Sequence, residues 1–417
     1  MEQKIIPADI QGTVQVPPSK SMAHRLLICA GLARGTSRIT NIQHSKDMEA
    51  TIGCLKALGA GIEGTYPDFV ITGCDPVKRD VPCVLDCQES GSTIRFMVPL
   101  AALSDMPAVF HGEGRLLSRP MDVYADIFEE QNLRFEQSSG QILVQGPLQG
   151  GVFSVPGNVS SQFISGLLLA GPLFGQGAEI AVLPPYESSG YVDMTVAAMR
   201  KFGVEVKQPT KYGYVVRPGQ YASCDGAVEG DYSQAAFLGV LAAIKGDITL
   251  RGLERSSLQS DRVIFDILKR CGATVTWEKD GVRVVHGALR PFRQDLGNCP
   301  DLGPVLCVLA SYIPGTSVIE NAGRLRLKES DRIEAMEAEL KKWGVDISST
   351  EDTVTITGRG RYCEDHIVDV DGHNDHRIVM AMAVFGLCAD SESVIHGSQA
   401  VSKSWPDFFE DLREVVK

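Results

Sequence analysis

Charged side chains recur in this sequence at places suited to holding small, dense anions. The set comprises Lys20, Arg25, Arg95, Arg119, Lys328, Glu329, Arg332, His376, Arg377 and Lys403. An isolated pair of such residues usually forms a solvated, charged surface. These residues instead recur at equivalent points of a repeated unit, and that recurrence favours an anion-binding site.

Six polar loops, each opening a strongly apolar helix, are the elements that would position these charges. They are VPPSKS at Val16, QESGST at Gln88, PGNVSSQ at Pro156, EGDYSQ at Glu229, NCPDLG at Asn298 and DGHNDHR at Asp371. Each loop supplies backbone N–H groups and the positive end of a helix dipole. Any one of them is more often a helix cap than a ligand site. Together, facing one cleft, they would trap anions.

The loops belong to a unit that repeats six times with a period of about seventy residues. Short β-like runs begin near Ile39, Val109, Ile180, Ile248, Val318 and Val394. Each run is followed by a polar loop and an amphipathic helix. In five copies two alternating strands follow, and we place their tips at Gly73, Gly146, Arg217, Gly287 and Gly358.

Composition and charge exclude several classes of protein. The 417 residues are 44% hydrophobic, and 40 basic against 52 acidic residues give a net charge of −12. That length suits two or three domains, and the negative charge argues against a nucleic-acid partner. No run approaches the roughly 18 apolar residues of a membrane span, and MEQKIIPADI lacks a signal peptide's apolar segment. We therefore expect a cytoplasmic protein with no membrane partner.

The cysteines and glycines indicate neither a metal nor a nucleotide. The 11 cysteines are dispersed and form no CxxC pair, which is typical of reduced thiols on apolar faces. Cys83 and Cys87 are the only close pair, without histidines at ligand spacing. Neither GxxxxGK[ST] nor GxGxxG occurs. We expect no metal and no cofactor.

Seven strings, taken in order, carry a resemblance to a known family. They are PPSKSMAHR (17–25), ESGSTIRF, GEGRLLSRPM, NVSSQFISGLLLA, LKESDRIEAM, NDHRIVMAMAV and SKSWPDFF. In this order and spacing the chain resembles the 5-enolpyruvylshikimate-3-phosphate synthase family of enolpyruvyl transferases. The resemblance covers essentially the whole chain, and seven strings in register are specific where each alone is weak.

The resemblance implies a fold of the α/β (α+β) class, a two-domain inside-out α/β barrel. Each domain would hold three βαβαββ repeats around a pseudo-threefold axis. Residues 1–18 and 230–417 would form one domain and residues 19–229 the other, with the active site in the interdomain cleft. Periodicity alone does not indicate this discontinuous division.

The resemblance also implies a reaction between two small molecules, phosphoenolpyruvate and shikimate 3-phosphate. Protonation of C3 of phosphoenolpyruvate makes C2 cationic, and the 5-hydroxyl of shikimate 3-phosphate adds there. The tetrahedral intermediate then loses phosphate and a C3 proton. Such chemistry needs an acid and a base that exchange roles, and electrostatic stabilisation of moving charge. Family habit further implies a monomer.

The residue roles follow from the same resemblance. Shikimate 3-phosphate would be bound by Lys20, Ser21, Arg25, Ser160, Ser161, Gln162, Ser188, Asp301 and Lys328. Phosphoenolpyruvate would be bound by Lys20, Gly91, Arg119, Gln162, Arg332, Arg377 and Lys403. Asp301 would be the base toward the 5-hydroxyl, Glu329 the proton donor to the methylene carbon, and Lys20 a proton shuttle.

Simpler interpretations of the two carboxylates stand beside these roles. Asp301 could cap a helix, and Glu329 could pair with Arg332 three residues on. The chain also departs from the family pattern at Pro18, at Glu89 where an Asn is common, and at Arg324 where another Asn is usual. We therefore leave Glu89 and Arg324 out of the expected site.

Two other functions remain open from the sequence. The enolpyruvyl transferase acting on UDP-N-acetylglucosamine shares the six units, but it typically has a cysteine in the loop occupied here by GEGRLLSRP. No cysteine occurs between Cys87 and Cys224. A non-catalytic repeat protein that binds phosphorylated ligands would not need Asp301 and Glu329 among its cations.

Overall fold

Short strands alternate with helices along the whole chain in the computed structural model, which describes residues 1–417. The helices are α1 Lys20–Leu32, α2 Lys46–Ala57, α3 Gly91–Ala101, α4 Asp122–Glu130, α5 Ser161–Ala170, α6 Ser189–Lys201, α7 Tyr232–Lys245, α8 Val263–Cys271, α9 Gly303–Ser311, α10 Arg332–Lys341, α11 His376–Cys388 and α12 Phe408–Arg413. Short 3₁₀ turns cover Pro76–Lys78, Leu116–Ser118, Gly171–Leu173, Ser260–Arg262, Pro300–Leu302, Gly323–Leu327 and Ser398–Lys403.

The strands are short and fall into seven sheets. They are β1 Glu2–Ile5, β2 Ile10–Gln15, β3 Ala33–Arg34, β4 Thr36–Thr40, β5 Gly61–Thr65, β6 Asp68–Thr72, β7 Cys83–Asp86, β8 Ala108–His111, β9 Arg134–Gln137, β10 Ile142–Gln145, β11 Gly151–Pro156, β12 Ala178–Leu183, β13 Val206–Thr210, β14 Gly213–Val216, β15 Tyr221–Ala222, β16 Gly226–Ala227, β17 Gly246–Arg251, β18 Thr274–Glu278, β19 Gly281–Val285, β20 Arg293–Asp295, β21 Gly315–Glu320, β22 Asp346–Ser349, β23 Val354–Gly358, β24 Val368–Asp371 and β25 Ser393–His396.

The chain divides into two compact units. The terminal unit comprises residues 1–17 and 229–417, and the middle unit comprises residues 18–228. The terminal unit has sheets ordered β18-β19-β17-β2, β20-β21-β23-β22 and β1-β25-β24. The middle unit has β16-β4-β6-β5, β7-β8-β10-β9, β11-β12-β14-β13 and the small pair β15-β3.

One repeat shows how the pattern in the sequence becomes structure. In β7-α3-β8-α4-β9-β10 the first two strands pair in parallel across helix α3, and β9 and β10 form an antiparallel hairpin beside them. The parallel pair needs a long crossover, which the helix provides. The predicted α/β (α+β) class is confirmed, and each of the six predicted runs lies in a strand (β4, β8, β12, β17, β21 and β25).

The five expected hairpins form, but their predicted tips are wrong. Gly73, Gly146 and Gly358 lie at the far end of the second strand rather than at the turn. A Cβ on Gly73 would stand 2.0 Å from the carbonyl oxygen of Ala33, and one on Gly146 would stand 2.0 Å from that of Ala102. Because these glycines have no side chain, the chain just after the hairpin can lie close to the end of a preceding helix. Glycine is needed here for close packing of two backbones and not for a turn.

Apolar helices form the core of each unit. In the terminal unit α7, α9 and α11 contact one another, and nearly every side chain of α7 and α11 is buried. Their burial on all sides explains why they read as continuous apolar runs rather than as amphipathic stripes. Because the helices pack together, their N-terminal loops stay near each other within the unit.

Side-chain caps fix the start of five of the six apolar helices. The capping residues are Ser19, Ser90, Ser160, Asp231 and Asp375, each accepting a bond from an N–H of the first turn. Helix α9 instead follows the 3₁₀ turn Pro300–Leu302 and has no side-chain cap. The proposal that Asp301 caps a helix is therefore wrong.

The chain leaves the terminal unit after residue 17 and returns to it at residue 229, and a backbone hydrogen bond joins these two segments. The carbonyl oxygen of Pro17 accepts a bond from the N–H of Asp231 at 2.8 Å. Strand β2 pairs in parallel with β17, and β1 pairs antiparallel with β25. No helix of the protein is both long enough and apolar enough to span a membrane.

Candidate active site

Asp301 lies among three cations in the terminal unit. Its carboxylate is 3.0 Å from Nη2 of Arg377, 3.2 Å from Nη1 of Arg332 and 3.6 Å from Nζ of Lys328. Arg377 Nη1 also donates to the Asp301 carbonyl oxygen at 3.1 Å. The 3₁₀ turn before α9 thus presents a carboxylate that is fixed from several sides.

These neighbours set the charge of Asp301. Burial opposes its ionisation, but Arg377, Lys328 and Arg332 outweigh burial and hold the pKa of the Asp301 carboxyl far below its usual range. Burial in turn lowers the pKa of Lys328, partly offset by the attraction of Asp301. Asp301 is therefore an anion at any ordinary pH.

Arg332 joins the acidic residues of this unit. Its Nε donates to Asp375 Oδ2 at 2.8 Å and its Nη2 to Glu329 Oε2 at 2.8 Å, in addition to the contact with Asp301. The predicted Glu329–Arg332 ion pair is therefore confirmed. Burial would lower the pKa of Arg332, but the three carboxylates, Asp375 first, raise it above its ordinary value.

The charged side chains of this unit differ in their exposure. The side chains of Lys328, Asp301 and Glu329 are 31%, 20% and 17% exposed, whereas that of Arg332 is 1% exposed. Lys403 closes the 3₁₀ turn Ser398–Lys403 and its Nζ donates to the carbonyl oxygen of Asn374 at 2.7 Å.

In the middle unit Lys20 stands at the first turn of α1. Its Nζ is 2.9 Å from Asp47 Oδ2 at the start of α2. Arg25, one turn further along α1, is buried and donates to Thr195 Oγ1 at 2.7 Å and to the carbonyl oxygens of Ser21 and Tyr191. Burial lowers the pKa of Arg25 to about 10, which leaves it charged at neutral pH.

Gln162 connects the starts of α5 and α3. Its Oε1 accepts from Arg95 Nη1 at 2.8 Å, and its Nε2 donates to Ser92 Oγ at 2.9 Å. Gly91 lies beside the same group, since a Cβ there would stand 2.7 Å from Nη1 of Arg119 and 3.1 Å from Nη1 of Arg95. Two guanidinium groups thus converge on the N-terminus of α3, where a helix dipole adds positive potential.

Three of the four predicted serines mark two other helix starts in the middle unit. Ser160 caps α5 through a bond from the N–H of Gln162 at 3.3 Å, and Ser161 is the first residue of that helix. Ser188 precedes α6 with a φ of +54°, a left-handed conformation that is uncommon outside glycine. Both helix N-termini are places of the kind where anions bind.

The expected residues therefore form connected groups inside each unit. One group in the terminal unit contains Asp301, Lys328, Glu329, Arg332 and Arg377, with Lys403 bound to the adjoining loop. In the middle unit Gln162, Gly91 and Arg119 share one group, Arg25 binds Ser21, and Lys20 binds Asp47.

Sequence reasoning missed several residues that hold these groups together. They are Asp47, Ser92, Arg95 as a partner of Gln162, and Asp375. Asp375 directly precedes His376 at a helix start, so the sequence could have identified Asp375 as a helix cap. Nothing local in the sequence indicates that the same carboxylate binds Arg332, 43 residues away.

The two residues left out of the expected site also have defined positions. Arg324 Nη2 donates to the carbonyl oxygen of Gly297 at 2.8 Å. The positive charge of Arg324 contributes to lowering the pKa of Lys328. The carboxylate of Glu89 lies against Gly114, since a Cβ there would be 2.6 Å from Glu89 Oε2.

Comparison with known proteins gives one consistent family. Residues 5–412 match the family model described as EPSP synthase (3-phosphoshikimate 1-carboxyvinyltransferase). The chain is 40% identical to the 3-phosphoshikimate 1-carboxyvinyltransferase of Clostridium novyi, over 99% of this chain and 97% of the relative. It is 41% identical to the protein of the same name from Clostridium kluyveri, over 99% and 96%.

Solved structures agree with the sequence comparison. The fold is similar to EPSP synthase from Acinetobacter baumannii, with a TM-score of 0.81, 26% identity and coverage of 100% of this chain and 98% of that one. The enolpyruvyl transferase NikO from Streptomyces tendae shares the fold at a TM-score of 0.78 and 15% identity, over 99% and 96% of the two chains.

Proposed function

The chain belongs to the EPSP synthase family, and we propose that it transfers the enolpyruvyl group of phosphoenolpyruvate to the 5-hydroxyl of shikimate 3-phosphate. The products are 5-enolpyruvylshikimate 3-phosphate and phosphate. This is the carboxyvinyl transfer that the names of its relatives describe.

The observation that carries this proposal is the Asp301 group. A carboxylate held ionised by Arg377, Lys328 and Arg332 stands in the same group as a second carboxylate, Glu329. Addition followed by elimination needs both a base and an acid near bound anions, and this group offers both. A protein that only bound phosphorylated ligands would lose affinity from the two carboxylates.

We assign the proton transfers within this group. Glu329 is ion-paired with Arg332 in the empty site, so it must first take up a proton; it then gives that proton to C3 of phosphoenolpyruvate, and Asp301 accepts the proton of the 5-hydroxyl as its oxygen bonds to C2. In the second half a C3 proton returns to the enzyme while the C2–phosphate bond breaks and phosphate leaves. Lys20 helps move protons between the two substrates.

Binding of the substrates changes the base. In the empty site three cations make Asp301 a weak acceptor, because they stabilise its anionic form. A phosphate or carboxylate drawn to Lys328 and Arg377 competes for the same positive charge. The basicity of Asp301 then rises when substrates are in place, so proton transfer is favoured in the loaded enzyme.

The remaining assignments concern substrate binding. We place shikimate 3-phosphate on Lys20, Ser21, Arg25, Ser160, Ser161, Gln162, Ser188, Asp301 and Lys328. We place phosphoenolpyruvate on Lys20, Gly91, Arg119, Gln162, Arg332, Arg377 and Lys403. Guanidinium groups suit the planar carboxylate and phosphate contacts of the second set. Arg25 and Arg332 already donate to protein oxygens, so they act on ligands partly by orienting their neighbours.

Phosphate release from phosphoenolpyruvate that requires shikimate 3-phosphate tests the function. Purified protein should release phosphate at a rate that saturates in both substrates, and UDP-N-acetylglucosamine should not replace shikimate 3-phosphate. Phosphate release from phosphoenolpyruvate that requires UDP-N-acetylglucosamine, and not shikimate 3-phosphate, would assign the chain to the enolpyruvyl transferase acting on that sugar nucleotide. Binding of both substrates without release would favour the non-catalytic alternative.

We further propose that the enzyme acts as a monomer in the cytoplasm. The monomeric state is the one that the family resemblance implies. The mass in solution, measured by light scattering at assay concentration, should be that of one 45.1 kDa chain. A stable dimer at that concentration would contradict this part of the proposal.

A further inference from the structure

The loop from Asp371 to Asp375, which joins β24 to α11, has an unusual backbone conformation. His373 and Asn374 both have a φ of +50°. Residues other than glycine seldom adopt this conformation, and two in succession persist only where their surroundings fix them. Because the loop leads directly into Arg377, its conformation affects the placement of that cation.

A buried carboxylate on α10 supplies the restraint. Glu339 Oε1 lies 3.0 Å from His373 Nε2, and Glu339 Oε2 accepts from the N–H of Asp371 at 3.0 Å. The side chain of Glu339 is only 2% exposed, whereas that of His373 is 29% exposed. Lys342 completes the arrangement by donating to Glu339 Oε2 at 2.7 Å. The loop is thus attached to α10 at both its first residue and its third.

The following residues of the loop hold cations of the proposed site. The carbonyl oxygen of Asn374 accepts from Lys403 Nζ at 2.7 Å. The carboxylate of Asp375 accepts from Arg332 Nε at 2.8 Å and from the N–H of Arg377 at 2.9 Å. All three of these cations belong to the set assigned to phosphoenolpyruvate.

We propose that Glu339 and His373 form a positioning pair for phosphoenolpyruvate binding, acting through the left-handed loop on Lys403 and Arg377. This inference rests on the proposed function. Neither residue contacts substrate. The pair fixes where the backbone oxygen of Asn374 and the first turn of α11 lie, and so where the two cations point.

The pair is also sensitive to pH. The groups facing His373 are Glu339 from α10, Lys342 directly after that helix, and Asp371 from β24. The hydrogen bond to Glu339 raises the pKa of His373, while burial and Lys342 oppose that rise and the charge of Asp371 adds to it. A raised folded pKa means that the charged pair is complete below about pH 6.5 and weakens as pH increases through the higher value. Neutral imidazole can still donate from Nε2, so the bond is weakened rather than lost.

Steady-state kinetics of matched variants test the proposal. We would measure kcat and the KM of each substrate from pH 5.5 to 9 for wild type, His373→Ala, His373→Gln and Glu339→Gln. His366→Gln is the control, because His366 forms a similar bond with Asp365 on the surface and is 62% exposed. His373→Ala should raise the KM for phosphoenolpyruvate on the order of tenfold, with kcat and the KM for shikimate 3-phosphate changed less than about threefold.

The conservative variant gives the more specific signature. His373→Gln keeps a donor but cannot become charged, so it should recover part of the affinity and lose the rise of KM with pH that is expected of wild type. A double variant, Glu339→Gln with His373→Ala, should be scarcely worse than either single change. Multiplicative effects, or a KM and pH profile for His373→Gln equal to those of the control, would overturn the pairing.

A readout that does not need turnover separates this inference from the proposed function. Amide hydrogen exchange of residues 372–377 should be faster in His373→Ala than in wild type and unchanged in His366→Gln. Unchanged exchange in His373→Ala would overturn the positioning role. An inactive wild type with this exchange difference would instead refute the assigned reaction and leave the loop restraint standing.

Discussion

Gly91 lies so close to Arg119 that a single methyl group on its Cα would stand 2.7 Å from the guanidinium nitrogen Nη1. Real Cβ contacts are longer, so either the guanidinium or the start of α3 must shift. The absence of a side chain at Gly91 is therefore what lets Arg119 and Arg95 approach the same helix N-terminus.

Gly91→Ala should displace Arg119 and weaken phosphoenolpyruvate binding roughly tenfold, because a positioned cation moves while the fold is kept. In the EPSP synthase family the herbicide glyphosate competes with phosphoenolpyruvate, and the glyphosate molecule is slightly longer than phosphoenolpyruvate. We expect its inhibition constant to increase more than the KM. Gly53→Ala in α2 is the control, since nothing lies within 4 Å of its added Cβ. Equal changes for both ligands would contradict the placement of this helix start at the phosphoenolpyruvate site.

Glu329→Gln should reduce kcat by roughly 10²- to 10⁴-fold with little change in substrate affinity, because the amide keeps the size of the side chain but cannot donate an acidic proton. Glu334→Gln, an exposed position on α10, should be neutral. The measurement is phosphate release under saturating substrates. Turnover near that of wild type would remove Glu329 from the proton transfer.

Asp301→Asn should lower kcat to a similar degree, but it should not weaken the binding of shikimate 3-phosphate. Removing this carboxylate leaves Arg377, Lys328 and Arg332 without the anion they share, so an added phosphate meets less competition. Calorimetric titration with shikimate 3-phosphate should show affinity that is equal to or greater than that of wild type. Affinity that is tenfold weaker would mean that Asp301 chiefly binds substrate.

Asp375→Asn should destabilise the protein in a pH-dependent way. Burial opposes ionisation, but Arg332 outweighs it and lowers the pKa of Asp375, so its stabilising effect is present above the unfolded pKa and disappears as pH falls through the lower folded value. We expect a loss of about 3 kcal/mol in the free energy of unfolding near pH 7, because the variant leaves a buried guanidinium less well paired. The difference from wild type, measured by urea unfolding, should shrink below about pH 4. The exposed Asp365→Asn should show no such difference, and a pH-independent loss in Asp375→Asn would contradict the ionic explanation.

Shikimate 3-phosphate should protect amides in both units. Saturating ligand is expected to slow hydrogen exchange at the N-terminus of α5 in the middle unit and around Asp301 and Lys328 in the terminal unit. Phosphate at equal concentration is the control for a simple ionic effect. Protection confined to one unit would mean that the other contributes nothing to this ligand.

Local patterns in the sequence predicted most of the elements. Apolar runs, caps and a period near seventy residues located the six strands and the helices between them, and the resemblance supplied the mixed α/β class. The same reasoning misplaced the hairpin turns, because glycine serves both turns and close backbone approaches. At Gly73 and Gly146 the deciding fact is a carbonyl oxygen about forty residues earlier in the chain, which no local window contains.

The sequence predicted which kinds of residue form the candidate site, but it did not predict which of these residues contact one another. Resemblance supplied Asp301, Glu329 and the surrounding cations, and charge patterning indicated anions. Neither could show that Arg332 binds three carboxylates or that Glu339 holds His373, since these contacts depend on packing between α10 and the loop before α11. Tertiary contacts of this kind follow from the arrangement of elements rather than from any one of them.

The bond between Pro17 and Asp231 has a consequence for biosynthesis. Strands β1 and β2 leave the ribosome first, yet their partners are made much later: β17 in the second half of the chain and β25 near its end. Gln15 therefore cannot pair until Arg251 has been made, nor Glu2 until His396 has been made. Closing so long a loop is entropically unfavourable, and unpaired strand edges invite association with other chains. A middle unit that folds as it emerges would bring residues 17 and 229 together and shorten that wait. Its folding speed, more than the stability of the finished protein, would then set how much of the newly made chain escapes aggregation.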